Sequence, residues 1–264
     1  LSKSIVEIAG KIAMELARKC NSQLIFHYPQ YQIECDDVRD IVIRIDELNK
    51  NYSFDSDDVI YISDVNSMYD QIGHLQMHNA FDYCAEELLP VGIISKSEQK
   101  LYHRAQQHLY DYAYFDGDDL AIQKYDDSQI QGSVPGSDNT SLFMRVVEIR
   151  KRPLIIELFL WLIRYKDDLS LVPHKQLKIY TPQKCEENIK KIYDMFEFET
   201  DGIDDKGNVY TCDLTLHINT ESGNLDYGPT KESAKTRTFV YKNSNVKQSL
   251  QPLLSTLQER YIIL

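Results

Sequence analysis

The longest apolar run of the sequence, residues 154–163, is only ten residues long and contains Glu157. A helix that spans a bilayer needs about 20 consecutive apolar residues, so this run is too short to cross a membrane. Proline is well tolerated in the first turn of a helix, and Pro153 therefore marks the start of a predicted buried helix that ends at Arg164. We expect a folded protein with its own core and no membrane association.

Helical patterns dominate the first half of the chain. Ser4 with Glu7 and Ser95 with Glu98 have the spacing of a capping box, and each precedes apolar residues at helical intervals. These patterns predict one helix over residues 4–20, with Asn21 as its stop, and another that begins at Ser95. Asp64 is interpreted as the cap of a long helical stretch that continues to Pro90. Residues 36–48 fit either a helix or a strand, and their length favours a helix.

Short apolar or alternating segments predict strands between these helices. The predicted strands cover residues 24–28, 59–62, 177–180, 196–203, 209–218 and 237–242. The turn at 204–207 joins two of them in a predicted hairpin, a polar loop follows over 219–236, and a last helix is predicted over 245–260. The fold class is therefore mixed α+β, with a helix-rich, α/β-like N-terminal half and a C-terminal half in which an antiparallel sheet packs with helices.

A segment rich in Gly, Ser, Pro and Asn, residues 128–140, separates the two halves. We predict an acidic, helix-rich α/β subdomain over 1–127, a linker or loop over 128–140, and an α+β subdomain over 141–264.

The charge is concentrated in one segment of the chain. Residues 51–140 carry 4 basic and 16 acidic side chains, which equals the net charge of −12 of the whole sequence. A surface of this sign repels phosphate, so we expect no direct nucleic-acid binding through residues 51–140. A basic protein partner or a divalent cation would suit it better, although a solvated acidic face is the plainer interpretation.

The cysteines are five in number and widely spaced, with no C-x-x-C pair. This pattern is typical of thiols in a reducing compartment rather than of a disulfide framework. The start of the sequence lacks the order of a signal peptide. A cytoplasmic or other reducing intracellular location is therefore expected.

Candidate metal ligands are limited to two places. Asp116, Asp118 and Asp119 form the densest carboxylate cluster, and oxygen ligands of this kind suit Mg²⁺ or Ca²⁺. His74 and His78 are one helical turn apart, a spacing that can chelate zinc, but no third ligand can be named. A divalent cation is thus a possible cofactor, and no other cofactor is indicated.

Tyrosine is unusually frequent, with 18 in the chain. The tyrosines that cluster within the acidic segment are predicted to form a partner-binding surface, because tyrosine combines an apolar face with a polar tip and is favoured at interfaces. They are Tyr102, Tyr110, Tyr112, Tyr114 and Tyr125.

The element order after Pro153 is an apolar helix, the strand 177–180, a Phe-Glu-Phe strand at 196–198, a hairpin and a terminal amphipathic helix. This order resembles part of a HORMA domain. The resemblance implies a module that traps a partner peptide beneath a mobile C-terminal segment.

No phosphate-binding glycine loop and no nucleophile motif is present in the sequence. The leading hypothesis is a non-catalytic interaction or structural subunit of a larger intracellular or viral assembly, which binds through the acidic, tyrosine-rich surface. The alternatives are a metal-dependent hydrolase or nuclease that uses the acidic cluster, and the HORMA-like peptide-binding module.

Overall fold

A computed structural model describes residues 3–112, 114–116, 122–124, 136–179 and 181–230. The helices in these ranges are α1 (Lys3–His27), α2 (Val38–Asn51), α3 (Met68–Gln71), α4 (His74–Tyr83), α5 (Lys96–Tyr112), α6 (Gly136–Arg150), α7 (Arg152–Leu158) and α8 (Pro182–Ile192). The predicted strand at 237–242 and the predicted helix at 245–260 lie outside the described residues. The mixed α+β fold class is confirmed.

Several helix predictions are confirmed at the level of individual bonds. The Ser95 backbone N–H donates to Glu98 Oε2 at 2.8 Å, and the Glu98 N–H donates to Ser95 Oγ at 3.2 Å, which is a reciprocal capping box. Residues 38–48 of the predicted helix belong to α2, and Asp37 caps its first turn, where the Asp40 N–H donates to Asp37 Oδ1 at 3.0 Å.

The prediction that α1 stops at Asn21 is wrong. The helix continues to His27 and absorbs the predicted strand at 24–28. Asn21 points its side-chain amide at the backbone oxygen of Asp138, 2.9 Å away, and so does not compete with its own helix.

The strands form antiparallel sheets. They are β1 (Tyr61–Val65), β2 (Tyr114–Asp116), β3 (Ile122–Lys124), β4 (Phe159–Tyr165), β5 (Asp168–Pro173), β6 (Phe198–Asp201), β7 (Asn208–Thr211), β8 (Leu214–Asn219) and β9 (Asn224–Pro229). The first sheet has the order β4–β5–β1–β6, β2 pairs with β3, and the third sheet has the order β7–β8–β9.

The apolar run 154–163 does not form the single helix that its length predicted. It divides at Leu158, where α7 ends, and continues as β4. Ile163 packs in the core cluster on one face of β4, and its neighbour Leu162, which points to the opposite face, is also buried. A strand that is buried on both faces reads as a continuous apolar run, which is why the sequence pattern did not separate it from a helix.

The interpretation of Asp64 as a helix cap is also wrong. Asp64 lies in β1, which begins and ends later than the predicted strand at 59–62. The following helix is interrupted as well, because α3, α4 and a short π-helix at Cys84–Leu88 share the stretch that was predicted as one helix.

The strand and loop predictions for residues 177–236 need three corrections. The described part of the predicted strand at 177–180, residues 177–179, contains the end of a short 3₁₀ helix, Lys175–Leu177, and no strand. The turn at 204–207 is present, but β6 and β7 on either side of it belong to different sheets and do not form a hairpin with each other. The polar segment after Asn219 contributes β9, which pairs with β8.

The chain divides into two compact units. The helical unit contains Leu1–Gln32, Asn66–Ile155 and Lys190–Glu197, and the sheet unit contains Ile33–Val65, Ile156–Ile189 and the chain from Phe198 onward. The predicted boundary at 128–140 stays a prediction; its described part, residues 136–140, forms the first turns of α6. In the sheet unit, apolar side chains of α2, β1, β4, β5 and β7–β9 make one core, which includes Ile45, Ile62 and Leu216.

Candidate functional site

A row of carboxylates crosses the first sheet, β4–β5–β1–β6, of the sheet unit. Asp64 on β1 is directly opposite Asp168 on β5 and directly opposite Glu199 on β6. Side chains of directly paired residues point to the same face of a sheet, with Cβ atoms about 4.5–5.5 Å apart. Three carboxylates from three neighbouring strands therefore lie side by side, and we call them the carboxylate row.

The turn that joins β4 to β5 adds a fourth carboxylate. Tyr165 pairs with Asp168, so the turn consists of Lys166 and Asp167. The Asp167 carbonyl accepts a hydrogen bond from the Val65 N–H at 3.2 Å, which ties the turn to the strand that carries Asp64. Asp167 thus precedes Asp168 of the row in the chain and is hydrogen-bonded to Val65, the last residue of β1.

The like charges of these groups perturb one another. The pKa of Asp64 is raised by burial and then by the neighbouring carboxylates of Asp167 and Asp168. The pKa of Asp168 is also raised, first by burial and also by Asp167, although Cys212 opposes this effect. Carboxylates crowded in this way favour a bound cation, because an opposite charge relieves their repulsion.

Cys212 contacts the row from the turn between β7 and β8. Its Sγ donates to Asp168 Oδ2 at 3.3 Å. Burial raises the pKa of this thiol to about 12, so the sulfur keeps the proton that it donates. Cys212 and Asp213 both have positive φ angles, 44° and 69°, which is the backbone of a two-residue hairpin turn without the glycine that such turns favour.

A cavity of about 590 Å³ opens beside Asp168 in the sheet unit. The residues that line it include Lys206, Asn208, Tyr210 and Thr215. The volume is in the range of small-ligand sites, and Lys206 supplies a positive charge near the carboxylates.

The donor set of the row consists of oxygen atoms, which are the ligands that Mg²⁺ prefers. Within the described ranges, no three His, Cys, Asp or Glu side chains converge closely enough to enclose a metal ion. Mg²⁺ in phosphoryl-transfer sites is usually held by one or two carboxylates, and waters and substrate phosphates supply its other ligands. The open row fits that arrangement and does not fit a closed structural metal site.

The sequence-predicted site residues that the structure describes belong to the helical unit. Tyr102 is fully buried in the helical unit, where its ring stacks on Phe81 at 3.8 Å and its hydroxyl donates to Asn139 Oδ1 at 2.9 Å. Tyr110 is half-buried with its ring 4.8 Å from that of His74.

Tyr112 belongs to α5 and Tyr114 to β2, whereas Tyr125 lies outside the described residues. The predicted tyrosine surface stays a prediction.

The predicted metal ligands are only partly described. Asp116 is the last residue of β2, and Asp118 and Asp119 lie outside the described residues. His74 and His78 are one turn apart on α4, and the His78 ring stacks on His103 at 4.4 Å. Burial and the neighbouring imidazoles lower the pKa of His78 to about 4, which is the environment of a packed neutral ring.

Sequence reasoning missed Asp167 and Asp168 and misread Asp64. The available signal was a pair of adjacent aspartates between two apolar runs, 159–163 and 169–172, together with one aspartate after a third apolar run. The assignment of residues 154–164 to a helix concealed it, because without β4 there is no hairpin to place Asp167 in a turn and Asp168 at the start of β5.

No protein-family model and no curated protein matches the sequence. Solved structures do match. The fold is similar to part of telomerase. A structure of apo telomerase from Candida tropicalis aligns with a TM-score of 0.60 and 15% identity over 83% of this chain. A structure of telomerase from Candida albicans in complex with a fragment of telomeric RNA aligns with a TM-score of 0.60 and 13% identity over 84%.

A truncated apo telomerase from Candida tropicalis gives a TM-score of 0.57 at 14% identity over 83% of this chain. The chain spans 45% of that truncated telomerase and 39% of the other two. These likenesses show the fold alone.

None of the described helices is long and apolar enough to cross a membrane. All five cysteines are thiols, of which Cys20, Cys35, Cys84 and Cys185 are buried and Cys212 is half-buried.

Proposed function

We propose that the carboxylate row is the centre of a metal-dependent nucleotidyl-transfer site that acts on the end of a nucleic-acid strand. The observation that carries the proposal is the register of β1 and β5, which sets Asp64 directly opposite Asp168 with Asp167 in the adjoining turn. The similarity of fold to telomerase, including a telomerase bound to telomeric RNA, supports a nucleic acid as the partner.

The chemistry would be an in-line displacement at phosphorus. A 3′ hydroxyl oxygen attacks the α-phosphorus of a nucleoside triphosphate and loses its proton, and the bond from that phosphorus to pyrophosphate breaks. Divalent cations bound by Asp64 and Asp168 of the row, with the Asp167 carboxylate beside them, would neutralise the phosphate charge and stabilise the attacking and leaving oxygens.

The residues of this chain would position the reactants. The row fixes negative oxygen ligands on rigid strands, which is more precise than ligands on a loop. Lys206 lies on the wall of the cavity beside Asp168 and would contact a phosphate of the bound strand or nucleotide.

This proposal modifies one expectation from the sequence. Asp64 belongs to the acidic segment 51–140, through which no direct nucleic-acid contact was expected. We propose that nucleic acid approaches this segment only at the row. A reducing intracellular compartment is part of the same proposal, because it suits a chain whose five cysteines are thiols.

A primer-extension assay tests the proposal. The full chain is mixed with a DNA primer on an RNA or DNA template, the four deoxynucleoside triphosphates and Mg²⁺ or Mn²⁺. We expect extension by the wild type and a loss of about 10²–10³-fold in each of Asp64→Asn, Asp167→Asn and Asp168→Asn, because the metal contribution is worth several kcal/mol. Asp205→Asn, at an exposed turn position of the same unit, is the matched control and should retain activity.

Three outcomes would contradict the proposal. Shortening of the primer rather than its extension would favour the metal-dependent nuclease. Full activity in the three Asn variants would remove the row from the chemistry. Absence of any metal-dependent reaction, with stable capture of a protein partner through the tyrosine-rich segment, would favour the non-catalytic subunit.

A further inference from the structure

Arg164 is a buried cation two residues before the turn that carries Asp167. It is only 1% exposed. Its Nη1 donates to Glu34 Oε1 at 3.3 Å and to the Lys166 carbonyl oxygen at 3.0 Å. A buried guanidinium is costly unless its donors are satisfied, so its contacts define where the surrounding chain must lie.

Glu34 is held in place by the backbone on both sides of it. The Arg164 N–H donates to the Ile33 carbonyl at 2.8 Å, and the Cys35 N–H donates to the Arg164 carbonyl at 2.7 Å. This short parallel pairing fixes Glu34 beside β4. The carboxylate is therefore a fixed support for the Arg164 side chain and not a loose surface group.

The turn itself is strained and is held by both of its carbonyl groups. Lys166 has a φ angle of 56°, which costs a non-glycine residue about 1 kcal/mol or more. Arg164 binds the carbonyl of Lys166, and the N–H of Val65 binds the carbonyl of Asp167. Without the guanidinium, the Lys166 carbonyl would lose this hydrogen bond, and the turn would be held less firmly against its strain.

We propose that the Glu34–Arg164 pair positions the Lys166–Asp167 turn and the adjoining Asp168, and thereby sets the affinity of the carboxylate row for a divalent cation and a nucleotide. The inference rests on the proposed function of the row. Arg164 and Glu34 are positioning residues, because neither would touch the substrate. Groups that orient metal ligands typically change metal affinity by 10–100-fold when they are replaced.

The test measures Mn²⁺-dependent binding of a nucleoside triphosphate to the full chain, as the Mn²⁺ concentration that gives half-maximal binding. Arg164→Lys retains a positive charge for Glu34 but replaces the planar guanidinium, whose Nη1 donates to both acceptors, with a compact ammonium that presents its donors from a different position. We expect this variant to need about 10–100-fold more Mn²⁺. Glu34→Gln, which keeps the shape of the side chain and removes its charge, serves as a second variant should Arg164→Lys fail to fold.

A second ion pair of the sheet unit provides the matched control. Lys175 lies just after the C-terminal end of β5, at the opposite end of the strand from Asp168. Its Nζ is 3.1 Å from Asp58 Oδ2, and the Asp58 side chain is completely buried. Lys175→Met should lower thermal stability, as the Arg164 and Glu34 variants do, because it leaves Asp58 without this charge. It should leave the half-saturating Mn²⁺ concentration unchanged.

The outcomes separate this inference from the proposed function. If the wild type shows no Mn²⁺-dependent nucleotide binding, or if Asp64→Asn and Asp168→Asn retain it, the proposed function fails. If those variants lose binding while Arg164→Lys and Glu34→Gln match the wild type, the row stands and the positioning role is refuted. A shift of the same size in Lys175→Met would also refute it, since the effect would then follow from stability alone.

Discussion

At the scale of single residues, glycine is required where β8 turns into β9. Gly223 has a φ angle of 73°, and its carbonyl accepts from the Phe54 N–H at 2.9 Å. A Cβ at this position would overlap the Ser53 hydroxyl. The hairpin can therefore approach the segment after α2 only with glycine at its turn.

Gly223→Ala is expected to lower the free energy of unfolding by about 1–3 kcal/mol, through backbone strain and the clash together. Gly92→Ala is the control, because Gly92 has a φ angle of 93° with nothing near its missing Cβ. Denaturant titration should give a smaller loss at position 92, and Ser53→Gly should restore part of the loss at 223. Equal losses in the two alanine variants would show that the contact with Ser53 is unimportant.

At the scale of secondary-structure elements, the capping box of α5 is joined to α1. Glu98 accepts from the backbone and hydroxyl of Ser95, and it pairs with Lys19 of α1 at 2.7 Å. The Lys19 ammonium and these hydrogen bonds lower the pKa of Glu98 to about 2. One carboxylate therefore both starts a helix and fastens it to its neighbour.

Glu98→Gln should cost about 1 kcal/mol of the free energy of unfolding at neutral pH. Because the pKa is lowered on folding, the ionised carboxylate stabilises the fold above its ordinary value of 4.5, and this contribution disappears as the pH falls toward about 2. Thermal melts of wild type and variant should converge over that range. Glu47→Gln, on an exposed position of α2, is the control and should change thermal stability little, and a pH-independent loss in Glu98→Gln would contradict the electrostatic explanation.

The sequence predicted elements best where local chemistry decides them. Ser95 and Glu98 determine the start of α5 through bonds within one turn, and the period of apolar residues identified α1 and α2. The apolar pattern gave the wrong element at residues 154–164, because a helix in the core and a strand buried on both faces have the same apolar composition. The pairing of β1 with β5 joins residues about a hundred positions apart, and no local pattern specifies it.

The long-range pairing of β1 with β5 also explains why the sequence did not reveal the candidate site. Asp116, Asp118 and Asp119 attracted attention because they are adjacent in sequence. Asp64 and Asp168 are adjacent only through the register of two strands. A site built across a sheet is visible in the sequence only as isolated acidic residues at strand ends, and its recognition depends on correct strand assignments.

At the scale of the whole molecule, the two compact units differ in their chemistry. The helical unit contains the buried Tyr102 and the packed His78, whereas the sheet unit contains the carboxylate row, the Cys212 turn and the cavity beside Asp168. Similarity of fold to telomerase extends over more than four-fifths of the chain, at 83%. We therefore propose that the chemistry belongs to the sheet unit.

The most direct measurement is a crystal structure of the full chain with Mn²⁺ and a nucleoside triphosphate, recorded at a wavelength at which manganese scatters anomalously. We expect anomalous density against the carboxylates of Asp64 and Asp168, with the triphosphate beside it and Arg164 still bound to the carbonyl of Lys166. Density at Asp116–Asp119 instead, or none near the row with the nucleotide bound elsewhere, would show that the carboxylate row is not the metal site.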